Sequence, residues 1–554
     1  MGPFMKKRIL LLSLPVYNAL FIFILLSILW ALACKTAYGA PEMTTFRYTP
    51  QDSDQQVLEL PLPIENGVFA TEDSPDIQDS AAPLNLNLQD VVRYTVQNNK
   101  EIQYLSYNPP QAAEDLAIAN SVYDLSIFES GSYNSMERPI ENIVEEGPVE
   151  GVLLEDRWNL QIGVKKPIPT GGIVSLFMDS NDLDSSSSFV TPNPQNSSRL
   201  TAQIRQSLLK EFGDRTNKAT IEIAGINIEK SREEFRGQVT SVLENVAQTY
   251  WQLFYDIGYE EIRRESLAMA AEVYHWEKTR LEQGIANPLD VNQAEAAVGS
   301  RKIALEQAEN QINASRKNLH QVMGFPFAYN SNPTPDIIPT ETARTEIIEV
   351  SEKETLAKAY ESRPEIIAAR KASEAAETKR RLAKHKLLPQ LDAKASYTLN
   401  SLDKTYNKSV DELFWSDKDT WVVALEFEYP LGNNRAGAEY RKSILEHKQA
   451  LKDVARTAEM IRLEVALAIK DVFFFGHKVR STSEVQQILE QLVEGKKTRF
   501  EISQIDNDEL LYAQNLLTEA KIEKLKAIIT YNLKLLELSK VQGTLLEDLG
   551  ISLQ

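Results

Sequence analysis

Two hydrophobic periods alternate along the chain and mark where it is strand and where it is helix. In the last third, around residues 421–429, the period is two. Trp421, Val423, Leu425, Phe427 and Tyr429 point one way, and Val422, Ala424, Glu426 and Glu428 the other, as in a strand with one apolar face. Leu391, Ala393, Ala395 and Tyr397 alternate likewise against Asp392, Lys394, Ser396 and Thr398, and Trp158, Leu160, Ile162 and Val164 against Asn159, Gln161, Gly163 and Lys165. Gly171-Gly172 signals a tight turn. Residues 173–179 can then form one strand and residues 199–209 its return, across a Ser/Asn-rich loop at 181–198. Such strands suit a transmembrane barrel with an apolar lipid face, a polar lumen and aromatics near the interfaces. A soluble sandwich with one wet face shows the same alternation.

Elsewhere the period lengthens. Phe235, Val239, Val242, Val246, Tyr250, Leu253 and Ile257 follow the three-and-four spacing of a buried helical stripe. Beyond Gly284, the positions Val291, Ala294, Val298, Leu305, Ala308, Ile312, Leu319 and Val322 keep a heptad-like repeat, with Arg301 and Ser315 as its polar members. That repeat favours a left-handed coiled-coil seam. The stretch 217–282 reads as one helix of roughly 100 Å at 1.5 Å per residue. No compact domain needs that length, whereas a tunnel across the periplasm does.

The two halves on either side of a proline-rich stretch (residues 325–340, with Pro326, Pro333, Pro335 and Pro339) repeat one another. An offset of 219 carries Arg280 to Arg499, Glu282 to Glu501, Asp290 to Glu509, Ala294 to Ala513, Leu319 to Leu538 and Gly324 to Gly543. Early in the halves the offset is 263–264, carrying Glu101 to Glu365, Tyr133 to Tyr397, Trp158 to Trp421 and Pro167 to Pro430. The offset falls by about 44 residues, so the first half carries an insertion of that size between Pro167 and Val246. Each half reads as a helical stretch (88–120; 354–387), then strands, then very long helices. With the insertion, the first half is expected to give four strands and the second two.

The N-terminus reads as a targeting segment. Lys6, Lys7 and Arg8 precede an apolar run over residues 9–33 that Pro15 and Asn18 interrupt, leaving 19–33 as an h-region. Cleavage after Ala37-Tyr38-Gly39, lipidation at Cys34, and retention as a membrane anchor are the three readings. All of them send residue 40 onward across the inner membrane. Composition adds mostly exclusions. With 43% apolar and 25% charged residues the chain is not disordered in bulk, and a net charge of −19 argues against a nucleic-acid partner. A single cysteine permits no disulfide framework, and five scattered histidines form no ligand cluster. Gly495-Lys496-Lys497-Thr498 ends like a phosphate loop but has Glu490 where the upstream glycine belongs. Neither an enzymatic signature nor a cofactor site is expected.

Six short motifs, in order and duplicated, add a resemblance. Leu86-Asn87-Leu88-Gln89-Asp90-Val91-Val92, Glu361-Ser362-Arg363-Pro364-Glu365-Ile366, Leu388-Pro389-Gln390-Leu391, Gln206-Ser207-Leu208-Leu209, Tyr429-Pro430-Leu431-Gly432 and Arg280-Leu281-Glu282-Gln283-Gly284 with Leu289-Asp290-Val291 resemble TolC-like outer-membrane efflux proteins. The resemblance spans roughly residues 84–549 and implies an α+β membrane protein. Its duplicated repeat would build a homotrimer: a transmembrane β-barrel in outer-membrane lipid, continuous with a long α-helical coiled-coil barrel in the periplasm. It further implies tripartite export, with an inner-membrane pump acting through a periplasmic adaptor (membrane fusion) protein. The cargo would be small molecules or, as in type I secretion, proteins.

The resemblance also places the adaptor contact and the periplasmic gate at two helix–turn–helix tips, one with Leu281, Gly284 and Asp290, the other with Phe500, Ser503 and Glu509. Gly284 supplies the permissive backbone that a turn between antiparallel helices needs. Asp290 and Glu509 stand where the family rings its pore with acids, which would attract cations. Both also open a helix, where the dipole alone favours an acid. Ser503 departs from the family's usual glycine, neither tip has an arginine just beyond it, and Gln293 and Tyr512 occupy the place of a second acidic ring. The expected organisation is a signal segment (1–40), an acidic leader (41–83), a first repeat (84–324), a linker (325–346) and a second repeat (347–549). The alternative is a non-porous periplasmic adaptor bridging the two membranes. Such adaptors carry one hairpin between lipoyl-like halves, whereas two hairpins and amphipathic strands are read here.

Overall fold

The computed structural model describes residues 83–140, 151–325 and 336–551. The expected signal segment with Cys34, nearly all of the leader and residues 326–335 of the linker lie outside the described residues. The first half opens on the short strand β1 (Leu84–Leu86) and three helices, α1 (Leu88–Asn98), α2 (Lys100–Leu105) and α3 (Asn108–Asn120), where the sequence pattern marked a single helical stretch. The first break follows from capping. Asn99 leaves the helical conformation, and its side chain accepts from Glu101 N and Ile102 N to start α2.

Strands β2 (Ser126–Pro139), β3 (Val152–Ile168), β4 (Gly172–Ser185) and β5 (Gln195–Ser207) follow, then α4 (Asp214–Asn217) and the hairpin of α5 (Ala219–Glu282) and α6 (Pro288–Met323). The second half repeats the plan with β6 (Ile337–Pro339), α7 (Glu352–Ser362), α8 (Pro364–His385), β7 (Gln390–Asp403), α9 (Tyr406–Leu413), β8 (Asp419–Glu428), the hairpin of α10 (Asn434–Glu501) and α11 (Asn507–Gln542), and α12 (Leu545–Asp548). The long helices hold 64 and 68 residues, about 100 Å each at 1.5 Å per residue.

One close approach recurs in both halves. Each hairpin ends on a left-handed glycine, Gly324 (φ +80°) and Gly543 (φ +79°), with matching bonds from Phe325 N to His320 O and from Thr544 N to Ser539 O. A Cβ on Gly324 would lie 2.4 Å from Asn98 O, and one on Gly543 would lie 2.9 Å from the carbonyl carbon of Ser362. Asn98-Asn99 and Ser362-Arg363 are the breaks in the opening helices of the two halves, so each hairpin foot is pressed against the corresponding helix break. The linker is built in as well. β6 pairs in parallel with β1, Tyr250 Oη donates to Leu86 O (3.1 Å) and accepts from Glu341 N (3.2 Å), and Tyr531 Oη donates to Glu346 O (2.6 Å). Its described part is a strap whose backbone is paired at several points, Arg344 N with Asn532 Oδ1 among them.

β2, β3, β4, β5, β7 and β8 form one antiparallel sheet in that order, four strands from the first half and two from the second, as the insertion predicts. The inserted strands run further than their apolar alternation, to Ser185 and from Gln195, so only residues 186–194 form the loop expected at 181–198. Ladder pairing is made by backbone, and Asn181–Ser197 or Asp182–Asn196 pair as well as apolar residues do. Residues of one cross-strand row share a face. The row Ile127, Val164, Leu176, Ala202, Tyr397, Trp421 is apolar throughout, while its neighbour on the opposite face is Ser126, Lys165, Ser175, Gln203, Ser396, Val422.

The apolar belt does not run level. On β3 it starts at Trp158, on β8 at Trp421, yet Trp421 stands in the row of Val164, six residues beyond Trp158. Six residues at ~3.3 Å, over four steps of ~4.8 Å between strands, make an incline of about 45°. Strands of outer-membrane barrels tilt by roughly that angle against the bilayer normal. Among the described residues no helix is long and apolar enough to cross one.

Replacing Gly324 by Ala should destabilise the fold by at least about 2 kcal/mol, since left-handed backbone and a clash against Asn98 act together. The loss is expected as a lower denaturation midpoint in thermal melts, and the same change at exposed Gly299, a helical position with open space around it, should not reproduce it.

Candidate functional site

The sheet lies at one end of the long hairpins and the turns at the other. At the first turn Gly284 is left-handed (φ +73°), with Gly284 N bonded to Leu281 O and Ile285 N to Arg280 O, both at 2.9 Å. The second turn repeats these bonds as Ser503 N to Phe500 O and Gln504 N to Arg499 O, again at 2.9 Å. Ser503 takes φ +58°, a conformation that costs a residue with a Cβ about 1 kcal/mol. The backbone geometry is therefore set by the helix ends, and the serine is held in a glycine's place.

The two tips touch. Asn507 donates through Nδ2 to Asp290 O (2.7 Å), and Arg280 donates through Nη2 to Ser503 Oγ (3.2 Å). The Arg280 guanidinium also stands 5.9 Å from the centre of the Phe500 ring. Phe500 is buried with Ala270, Val273, Ala294, Leu510 and Leu511, so it joins the hairpins and offers no surface to a partner, while Leu281 is half-buried. The apolar surface comes from Ile285, Leu289 and Ile502, each roughly 60% exposed (64%, 59% and 59%). Sequence reasoning passed over these three, although apolar residues within polar turns were the available signal.

The acids are local in their contacts. Asp290 completes a capping box, accepting from Asn287 N (3.2 Å), and Glu509 pairs with Lys496 on α10. The offset of 219 that takes Asp290 to Glu509 takes Glu277 to Lys496, so the first tip has two acids where the second has an ion pair. Glu277 is 2% exposed, its Oε1 meets Arg280 Nη1 at 3.3 Å, and its Oε2 is buried without a hydrogen-bond partner. Burial pushes its pKa above the usual carboxyl value against the pull of Arg280, and Asp290 and Asp506 add repulsion.

Further from the tips, Arg301 occupies the α6 seam as the heptad pattern placed it. It donates to Ser266 O (2.8 Å), Gln514 Oε1 (3.0 Å) and Asn515 Oδ1 (2.9 Å), and burial draws its pKa down to about 10. Ser315, the other polar member of the seam, donates to buried Asp256 (2.5 Å). Among the described residues no group of three or more His, Cys, Asp or Glu is placed to hold a metal ion.

The sequence profile of the family described as Outer membrane efflux protein matches residues 174–325 and 355–544, more than half of the chain. The chain belongs to the outer membrane efflux protein family. Outer membrane protein TolC of Vibrio cholerae serotype O1 is 23% identical over 368 residues, 64% of this chain and 79% of that one. Outer membrane efflux protein BepC of Brucella suis is 24% identical over 331 residues, 59% and 67% of the two chains. In fold it is similar to a membrane protein from Pseudomonas aeruginosa (TM-score 0.61, 15% identity, 85% and 99% covered) and to the Campylobacter jejuni CmeC outer membrane channel (TM-score 0.58, 16% identity, 88% and 94% covered). This efflux family is one of transport proteins, not enzymes, and its member here is a TolC-family protein of the outer membrane.

Glu277 yields a pH prediction for this efflux protein. The folded state holds the Glu277 proton more tightly than the unfolded chain, so the position costs stability as pH rises through the carboxyl range and costs nothing below it. Glu277→Gln is therefore expected to raise the melting temperature at about pH 8 and leave it unchanged at about pH 4. A variant equally or less stable at the higher pH would show that the Arg280 contact outweighs the burial.

Proposed function

We propose that three copies of this chain close into one outer-membrane channel, continued by their helical hairpins across the periplasm as an export tunnel. The observation that carries this reading is the inclined apolar belt on a sheet with two open edges. β2 and β8 each pair on one side only, and as first and last of six antiparallel strands they run in opposite directions. Lipid cannot satisfy an open edge. β8 of one copy can add antiparallel to β2 of the next, and three copies of six strands make eighteen, enough to leave an aqueous lumen. The polar face of the strands, with Lys165, Ser175, Gln203 and Ser396 in one row, lines it.

The helices support the same closure. α10 buries Ile461, Val465, Ala468, Val472 and Val479 within the chain, yet exposes a second stripe, Met460, Leu463, Leu467, Phe474, Val485 and Ile488, at three-and-four spacing. A neighbouring copy covers such a stripe. The tips then meet in a ring at the periplasmic entrance, where Ile285, Leu289 and Ile502 receive the adaptor that links the channel to an inner-membrane pump. Residues 84–324 and 347–549 act as the two repeats of this device, joined by 325–346, after a signal segment (1–40, with Cys34 as candidate lipid attachment) and a leader (41–83). Small molecules or proteins are the cargo.

A heat-modifiable species of three-chain mass in the outer-membrane fraction is expected, and recovery as a soluble periplasmic protein would sink the reading. At the ring, Asp290→Asn keeps an acceptor for the cap, and Glu509→Gln frees the positive charge of Lys496. The double variant should therefore stay folded and show weaker divalent-cation block in planar bilayers. Unchanged block would leave these acids with capping and pairing alone.

A further inference from the structure

Immediately above the apolar belt the lipid-side face of the sheet turns polar. Ser180, Ser198 and Ser401 share the next cross-strand row after Met178, Leu200 and Leu399, two residues or about 7 Å further along the strands. The polar side chains nearest the belt on β4, β5 and β7 are not left open. Ser180, Ser198 and Ser401 are buried, as is Asn196 one row higher. The cover is α9, carried by the β7–β8 connection. Ser409 Oγ and Ser198 Oγ are 2.7 Å apart, Asn196 donates through Nδ2 to Lys404 O (3.1 Å), and Ser409 and Leu413 are fully buried on the inward side of the helix.

What α9 hides on one side it replaces with aromatics on the surface. Phe414 and Trp415, which end it, are 65% and 91% exposed, and Phe189 in the β4–β5 loop is 65% exposed. These are large apolar side chains on a polar rim, and Trp415 makes almost no contact within the chain. Indole is amphipathic and settles where acyl chains give way to headgroups, and the outward side of α9, with Asn407, Lys408, Asp411 and Glu412 exposed, is polar as the headgroup layer is. The position is continuous with the belt, one row beyond its last apolar residues on β4, β5 and β7.

We propose that α9 with Phe414 and Trp415 is an interfacial collar that rests in the outer leaflet, its aromatics at the boundary between headgroups and acyl chains of the surrounding lipid. The inference rests on the membrane reading of the sheet. It assigns to the β7–β8 connection contact with outer-leaflet lipid, where a soluble extracellular partner would be the other occupant. Since the serine row beneath is shielded by α9, the polar end of the sheet can stand next to the belt without facing lipid.

The test is depth-dependent quenching in the full chain reconstituted into liposomes whose phospholipids carry bromine either near the headgroup or deep in the chain. Emission of the wild type is compared with that of Trp415→Phe and Trp421→Phe, each exposed enough to be replaced without disturbing the core. The emission missing from the Trp415 variant should be blue-shifted and largely lost with shallow bromine, less with deep bromine, and insensitive to aqueous iodide. Trp421, in the belt itself, serves as reference. Quenching of Trp421 together with water-like, iodide-quenched emission from Trp415 overturns the collar while leaving the channel standing. Quenching of neither by bromolipid removes the membrane reading and the collar with it.

Discussion

Backbone groups at a sheet edge need partners, and in a bilayer water does not provide them. That requirement governs the organisation of this efflux protein. The six strands pair completely with each other except along β2 and β8. An even number of strands leaves those edges antiparallel, so that a copy can continue what its neighbour begins. The incline of the belt from Trp158 on β3 to Trp421 on β8 matches the tilt that strands in a closed barrel take. In the proposed channel, helices attached to the sheet at fixed points close with it.

Those fixed points are the hairpin feet. Gly324 and Gly543 bring the ends of α6 and α11 against the helix breaks at Asn98-Asn99 and Ser362-Arg363, closer than any side chain would allow. Around the second break the buried Arg363 guanidinium binds Glu365 and Glu464 at once, tying α8 to α10. The strap from β6 onward crosses to α11 through Asn532 and Tyr531. Near-duplicate anchoring gives two nearly equal hairpins, as the proposed ring of pseudo-equivalent tips needs.

The equivalence is broken at the tips themselves. One tip turns on Gly284 and the other on Ser503. One keeps Glu277 near Asp290, and the other neutralises Glu509 with Lys496. The hairpins meet at the tips through one small apolar cluster, two side-chain hydrogen bonds and the Glu272–Lys497 ion pair, with Arg301 as a buried polar layer above. Sparse, polar contacts of this kind open locally at lower cost than a packed core does.

Periodicity decided much in advance. The strand faces, the seam containing Arg301 and Ser315, the length of the long helices, the four-and-two division of strands and the two turns at Gly284 and Ser503 all depend on local spacing. Local spacing survives folding because side-chain direction follows backbone type. Legible too were the positions of Asp290 and Glu509, but their partners were not. The cap on Asp290 is a matter of turn geometry, Lys496 reaches Glu509 from another helix, and Phe500 is buried only because the second hairpin packs on the first. The extra length of β4 and β5 and the docking of the proline-rich strap also escaped the pattern, because backbone pairing leaves little trace in hydrophobic order. Sequence thus determined which element each residue belongs to and which way it faces. Tertiary structure alone decided what stands opposite, since contacts between residues hundreds of positions apart depend on how whole elements dock.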